Sequence, residues 1–376
     1  MKIISVVGAR PNFMKIAPFC QALKTFPDVQ HILVHTGQHY DVRMSDSFFV
    51  DLGIPEPNVH LNIGSGTHAE QVGRTMIEFE KVVKTEKPDW IVVVGDVNAT
   101  CACSIVAKKE HVKLAHIEAG LRSGDIDMPE EVNRLVTDRL ADLLLTPDRI
   151  SNANLKAEGV DDSRICFVGN IMIDTLEAQR EKAASRSIEE LVKHELLNAE
   201  QLLPELSDGD FAVMTMHRPS NVDQLETLGP LVEFLTEEVA DDMPLLWPIH
   251  PRAKKQLEAF GLWQHVCEKI ILLNPLGYHD MLRLNMGARI MLTDSGGLQE
   301  ECCVLGTPCL TLRWNTERPV TLREHGGASV LVGNDVNRIR YSYKETLATK
   351  RMPQRPELWD GHAAKRIVDA ILTHSK

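Results

Sequence analysis

Two series of short apolar runs set the terms on which this chain can fold, each run closed by a polar turn and followed by a stretch of helical periodicity. The first series is IISVV (3–7), HILVHT (31–36), WIVVV (90–94), KLAHI (113–117) and DLLLT (142–146). The second is FAVMTM (211–216), PLLWPI (244–249), KIILL (269–273), RIMLT (289–293) and PCLTL (308–312). Near-continuous apolar runs of this length read as strands buried on both faces, and helices between them make right-handed βαβ units around a parallel sheet. The clearest helix is expected over 67–86. There Ala69, Val72, Met76, Phe79 and Val83 recur at spacings of three and four, and Thr67-x-x-Glu70 forms a capping box at the start.

Between the two series the pattern changes. Residues 171–209 are charged and helix-rich, and Pro204, Ser207, Asp208 and Gly209 mark a break. The expected architecture is therefore α/β, with two Rossmann-like doubly wound domains facing a cleft. Residues 1–170 form the first, 171–209 a helical linker region, and 210–360 the second. A last helix over 361–376, with Ala363, Ile367 and Ile371 on one face, is expected to join the first domain.

Composition narrows the function. The 41 Lys and Arg against 53 Asp and Glu leave a net charge of −12, which argues against a broad phosphate-neutralising surface and so against nucleic acid as a partner. No apolar run approaches a membrane span, and the start KIISVVGARP is interrupted too early for a signal peptide, so a cytoplasmic location without membrane association is expected. None of the eight cysteines forms a C-x-x-C pair and the fifteen histidines are scattered. Reduced core cysteines and no metal site follow from that pattern.

In open parallel sheets ligands sit at the carboxyl ends of the strands, so the polar groups just after each run are the candidate site. Gly8-Ala9-Arg10-Pro11 follows the first run without a G-x-G-x-x-G fingerprint, and Arg10 and Lys15 place two cations near a helix start, where anions are favoured. Asp96 follows 90–94 and Glu118 follows 113–117. Consecutive strands are often neighbours, so two carboxylates are expected to converge, an arrangement suited to acid/base work. Glu130 and Arg134 are four apart at the start of a further helix and are expected to share a face. His217, followed by Arg218, and His250 come after strands of the second series. For His217 catalysis and structure weigh equally, whereas His250 reads as structural.

The strongest single signal is Asp294-Ser295-Gly296-Gly297-Leu298-Gln299-Glu300-Glu301. Two glycines let a phosphate approach backbone N–H groups at a helix start, Ser295 adds a hydroxyl, and Glu301 one turn on is placed for ribose hydroxyls. Thr316-Glu317-Arg318-Pro319 offers another cation. The residues thus point to a nucleotide diphosphate on the second domain and carboxylates on the first.

Taken together, GARPNFMKIAP, HTGQHYD, GDVNAT, HIEAGLRSGD, MPEEVNR, TMHRPSNVD, DSGGLQEE and NTERP, in this order from residue 8 to 319, resemble the non-hydrolysing UDP-N-acetylglucosamine 2-epimerases. The resemblance implies the glycosyltransferase-B architecture, no cofactor, a homodimer, and interconversion of UDP-N-acetylglucosamine and UDP-N-acetylmannosamine. Its mechanism eliminates UDP with loss of the C2 proton to give 2-acetamidoglucal, and re-adds UDP with a proton on the opposite face. By motif match, Asp96, Glu118, Glu130 and His217 are the implied catalytic residues. Arg10, Lys15, Arg134, Ser295, Gly296, Gly297, Glu301 and Arg318 are the implied substrate contacts. Gln38 matches one position of the allosteric site of bacterial members, whereas Asp41 stands where they have a second Gln. The short MPEE segment also occurs in relatives acting on more modified UDP-sugars, while Thr316–Pro319 favours plain UDP-N-acetylglucosamine. A sugar-transferring enzyme of the same architecture and a catalytically silent UDP-sugar sensor are the other readings.

Overall fold

The computed structural model describes residues 1–8, 10–37 and 52–375, with the backbone alone for residues 10 and 11. The chain divides into two compact units. One comprises Met1–Ala178 and Pro356–Lys376, the other Gln179–Arg355. The stretch 171–209, expected as a separate linker, is instead shared between them. The helix Ile171–Ala184 begins in the first unit, and the helix Ile188–Glu195 packs Ile188, Leu191 and Val192 into the core of the second. Its charged composition marks the outer faces of helices whose inner faces are apolar.

In the first unit β1 (Lys2–Val7), β2 (Gln30–His35), β3 (Val59–His60), β4 (Trp90–Val94), β5 (Lys113–Ile117), β6 (Leu143–Thr146) and β7 (Ile165–Phe167) form one parallel sheet. Their spatial order is β3-β2-β1-β4-β5-β6-β7. In the second unit β8 (Ala212–Thr215), β9 (Leu245–Pro248), β10 (Ile271–Leu273), β11 (Ile290–Thr293), β12 (Cys309–Thr311) and β13 (Ser329–Leu331) are ordered β10-β9-β8-β11-β12-β13. Both orders reverse direction beside their first strand, between β1 and β4 and between β8 and β11. That reversal is the switch point at which doubly wound sheets open a crevice. The apolar runs of the sequence became strands; β3, β7 and β13 are two or three residues long and carry too little pattern to be read.

Burial explains the uninterrupted runs. Every residue of β4 is buried. In the second sheet alternate residues serve opposite faces: Ala212, Met214, Leu245, Trp247, Ile290 and Leu292 enter one core, while Val213, Leu246 and Met291 enter the other. Each such side chain taken fully from water contributes about 1.5–3 kcal/mol, so both faces favour apolar residues at every position.

The helix His68–Glu86 begins with the expected capping box, Thr67 accepting from the Glu70 N–H and Glu70 accepting from the Thr67 N–H. The C-terminal helix Ala363–Thr373 belongs to the first unit. The Ala363 and Ala364 N–H groups donate to Asp174, the Trp359 Nε1–H to the Pro147 carbonyl, and the Trp90 Nε1–H to Ser375 Oγ. All eight cysteines are free. Among the described residues no helix is long and apolar enough to cross a membrane, and no group of three or more His, Cys, Asp or Glu side chains is arranged to hold a metal ion.

Candidate active site

At the switch point of the first sheet the turn after β1 is tied to the turn after β4. The Gly8 N–H donates to Asn12 Oδ1 at 3.2 Å, and Asn12 Nδ2 donates to the Val94 carbonyl at 2.9 Å. One helical turn past Asn12, Lys15 reaches Glu118 and forms a buried ion pair with its Oε2. Lys15, expected to face a nucleotide, is thus a partner of the carboxylate that follows β5. Arg10 is paired with it only in sequence, since its side chain lies outside the described residues, as do Gln38 and Asp41.

Glu118 is 3% exposed and has φ +71°, a left-handed conformation that costs a non-glycine residue about 1 kcal/mol or more. Its second oxygen, Oε1, is buried and has no hydrogen-bond partner among the described residues. A buried carboxylate oxygen left open in strained backbone is the mark of a group kept for a ligand. Gly95, directly before Asp96, has φ +68°, and a side chain there would begin 3.3 Å from Lys15 Nζ and 3.5 Å from Glu118 Oε2. A bare backbone lets the Asp96 turn and the Lys15–Glu118 pair share one spot. Because β4 and β5 are neighbours in register, Val94 opposite Ile117, the two carboxylates leave adjacent strand ends.

Asp96 is held by Arg134, which is 2% exposed and also binds Glu131 Oε2 through Nε and Nη2 at 2.9 and 2.6 Å. Arg134 therefore pairs with the residue three before it, not with Glu130, which is exposed in the first turn of the helix Pro129–Leu140. Glu131 was not singled out by the sequence. It also accepts from the Ser123 and Gly124 N–H groups, both at 3.0 Å, and so ties Arg134 to the loop that follows Glu118. Burial raises the Glu131 carboxyl, but the Ser123 amide, the Arg134 guanidinium and the Gly124 amide outweigh it, and the group sits below its ordinary range. The i,i+3 spacing to Arg134 was visible in the sequence, whereas the loop contact was not.

The second sheet repeats the arrangement at its own reversal. His217 leaves β8 and Asp294 leaves β11, with Nδ1 of the histidine 2.7 Å from Oδ1 of the buried aspartate. Asp294 Oδ2 accepts from the His217 N–H at 2.9 Å, the Arg218 N–H at 2.8 Å and Asn221 Nδ2 at 3.2 Å. Burial raises this carboxyl, yet the bond and charge of His217 and the two amides outweigh it, so it sits below its ordinary range. Holding Nδ1 fixes the ring and leaves Nε2 as the outward nitrogen of a partly exposed side chain. His250 Nδ1 accepts from the Arg252 N–H and caps the helix Pro251–Ala259, a structural task.

Ser295, Gly296 and Gly297 open the helix Gly296–Leu305. Its start has no side-chain cap, which leaves the N–H groups of its first turn to an anion. Behind the loop lie charges. A side chain on Gly296 would begin 2.9 Å from both Arg318 Nη1 and Glu317 Oε1. Arg318, expected as a substrate-binding cation, is 5% exposed and ion-paired with Glu300 and Glu317, and Glu317 also binds Arg313. Glu301, expected to meet a ribose, is buried near the Tyr278 hydroxyl and the Asn285 amide, and burial pushes its carboxyl up to about 7. Four alternating charges cost less buried together than singly, which keeps Arg318 with its partners.

Two doubly wound units, each with its polar groups at the strand reversal, define an α/β protein of two Rossmann-like units. The family model described as UDP-N-acetylglucosamine 2-epimerase matches residues 21–372, and the chain belongs to that family, the non-hydrolysing 2-epimerases. The UDP-N-acetylglucosamine 2-epimerase of Methanocaldococcus jannaschii is 41% identical over the full length of both chains. Its crystal structure in complex with UDP-GlcNAc and UDP superposes with a TM-score of 0.88 over all of both chains, at 39% identity. The UDP-2,3-diacetamido-2,3-dideoxy-D-glucuronate 2-epimerase of Pseudomonas aeruginosa is 37% identical over 99% of each chain.

Proposed function

We propose that the protein interconverts UDP-N-acetylglucosamine and UDP-N-acetylmannosamine by eliminating and re-adding UDP. The observation that carries this reading is the pair of carboxylates on adjacent strand ends, Asp96 held by Arg134 and Glu118 held by Lys15 with one oxygen open. Inversion at C2 needs a proton taken from one face and returned to the other, hence two groups with separate surroundings. Asp96 and Glu118 take those roles, and Glu130, at the exposed helix start, positions the sugar.

The diphosphate half of the reaction falls to the second unit. As the C1–O bond breaks, its electron pair goes to the departing UDP oxygen, and the loss of the C2 proton leaves a C1–C2 double bond in 2-acetamidoglucal. Charge then builds on the diphosphate. His217 Nε2, oriented through Asp294, and the amides of Gly296 and Gly297 at the uncapped helix start are suited to carry it. Arg318 and Glu301 support that loop from behind.

The full-length similarity to the Pseudomonas aeruginosa enzyme favours a second substrate, a more heavily substituted UDP-acetamido sugar, with the same chemistry at C2. Incubation in D2O with UDP-N-acetylglucosamine tests the proposal. The expected result is deuterium at C2 and UDP-N-acetylmannosamine with no acceptor present. Exchange only with the diacetamido uronate sugar selects the second substrate. Binding without exchange, or release of free sugar, overturns the proposal.

A further inference from the structure

His116 lies on β5, two residues before Glu118, and is completely buried. Its Nδ1 is 2.6 Å from Asp138 Oδ1 and its Nε2 is 2.8 Å from the Gly95 carbonyl. Both neighbours are acceptors. A backbone carbonyl can only accept. Asp138 already accepts at Oδ2 from the Gly120 N–H at 3.0 Å and from Arg122 Nη1 at 2.7 Å. A neutral imidazole has one N–H, so either tautomer sets a lone pair against a lone pair at hydrogen-bond distance. A ring carrying two protons satisfies both contacts.

Charge balance agrees. Arg122 also binds Glu158 through Nε and Nη2 at 2.7 and 2.8 Å. With His116 charged, two cations face two carboxylates. With it neutral, the buried Asp138 shares its one cation, Arg122, with the exposed Glu158. The Gly120 N–H and the Arg122 guanidinium both donate to Asp138 Oδ2 and favour its ionised form, so the proton shared at Oδ1 belongs to the ring.

We propose that His116 is a buried imidazolium and, anchored by Asp138, acts as the positioning residue for the Gly95–Asp96 turn, a role that rests on the epimerase reading above. Gly95 is held twice by β5, its N–H donating to the Ile117 carbonyl at 3.1 Å and its carbonyl accepting from His116. On the far side of Gly95 are Lys15 Nζ and Glu118 Oε2. Gly95 thus lies between the His116 contact and the Lys15–Glu118 pair, one residue before Asp96, which Arg134 holds. The charged groups around the ring are thus Asp138 on the helix Pro129–Leu140, Arg122 behind it, and Lys15 and Glu118 beyond Gly95. Misplacing a reacting group by a fraction of an ångström costs turnover more than binding.

The test uses the full chain with 15N-labelled histidine. At pH 8.5 one resonance, absent in His116→Asn, is expected to show both ring nitrogens protonated. In Asp138→Asn the carboxamide can donate to Nδ1, so the ring turns neutral while keeping its bond to Gly95, and the Gly95 and Asp96 amide resonances shift. In the same variant kcat is expected to fall by about tenfold or more with KM changed less than about twofold. A neutral His116 ring in the wild type overturns the proposal, as does an Asp138→Asn enzyme of lowered melting temperature with full kcat per folded site. If the wild type lacks C2 exchange, the epimerase reading falls instead, and the ring spectrum with the Gly95 and Asp96 shifts still decides the imidazolium and its hold on the turn.

Discussion

His217 and Asp294 stand just beyond the two strands that flank the reversal of the second sheet, and 2.7 Å separates the imidazole Nδ1 from the carboxylate. They are 77 residues apart along the chain. The pair exists because β8 and β11 are hydrogen-bonded neighbours, Thr215 opposite Thr293, so the turns that follow the two strands meet.

Asp294→Asn tests that pair. The amide keeps the acceptor that holds the His217 and Arg218 N–H groups but removes the charge that orients the imidazole. Turnover is expected to drop by about 10²-fold or more with little change in KM, since in the proposed reaction the histidine acts on charge that appears only as the bond breaks. Turnover per folded site beside a melting curve checks this, and an unchanged kcat would show that Asp294 serves the fold alone.

The two carboxylates of the first unit should separate in stability. Glu118→Gln leaves the buried Lys15 ammonium without its counter-charge, at an expected cost of about 3–5 kcal/mol, together with loss of C2 exchange. Asp96→Asn should abolish exchange with a smaller stability loss, because Arg134 retains Glu131. Chemical denaturation of both variants decides it. The double variant Glu118→Gln, Lys15→Met is expected to recover stability and remain inactive.

Gly296→Ala is expected to weaken UDP binding by about tenfold or more, the equivalent of roughly 1.4 kcal/mol. The added carbon would begin 2.9 Å from Arg318 and Glu317, forcing the paired charges behind the loop to shift. Titration calorimetry with UDP reads the effect. Unaltered affinity would move the diphosphate site away from this helix start.

Stability should depend on pH through Glu301. Burial pushes its carboxyl up from an ordinary 4.5 to about 7, so between these values the unfolded chain has lost a proton that the folded chain keeps. Stability from this group therefore declines as pH rises through that window, by on the order of 3 kcal/mol, and levels off above it. Asp138 and Asp294, held low, act oppositely: their contribution is complete above the ordinary carboxylate range and is lost in acid. Unfolding free energies at pH 5 and 8 should differ less in Glu301→Gln than in the wild type. An equal difference in both proteins would assign the decline elsewhere.

The sequence by itself determined the parallel α/β framework, because strands covered on both faces must be apolar throughout and the helices between them must be apolar on one side. It also determined where chemistry collects, since polar turns at strand ends are the only places where such a sheet leaves functional groups near a ligand. Asp96, Glu118, His217 and the Ser295 loop were legible on that ground alone.

What each of those groups touches was decided only by tertiary structure. Lys15 lies 103 residues from Glu118, His116 lies 22 from Asp138, and Arg134 lies 38 from Asp96. Local spacing suggested Glu130 for Arg134, and Arg318 was expected as a cation for the substrate. Burial reversed both, because a guanidinium taken from water needs the carboxylates that reach it inside the fold, Glu131 and Asp96 in one case and Glu300 and Glu317 in the other. A linear pattern fixes which side of an element faces inward; which charges then meet depends on strand order and depth, and these belong to the folded chain alone.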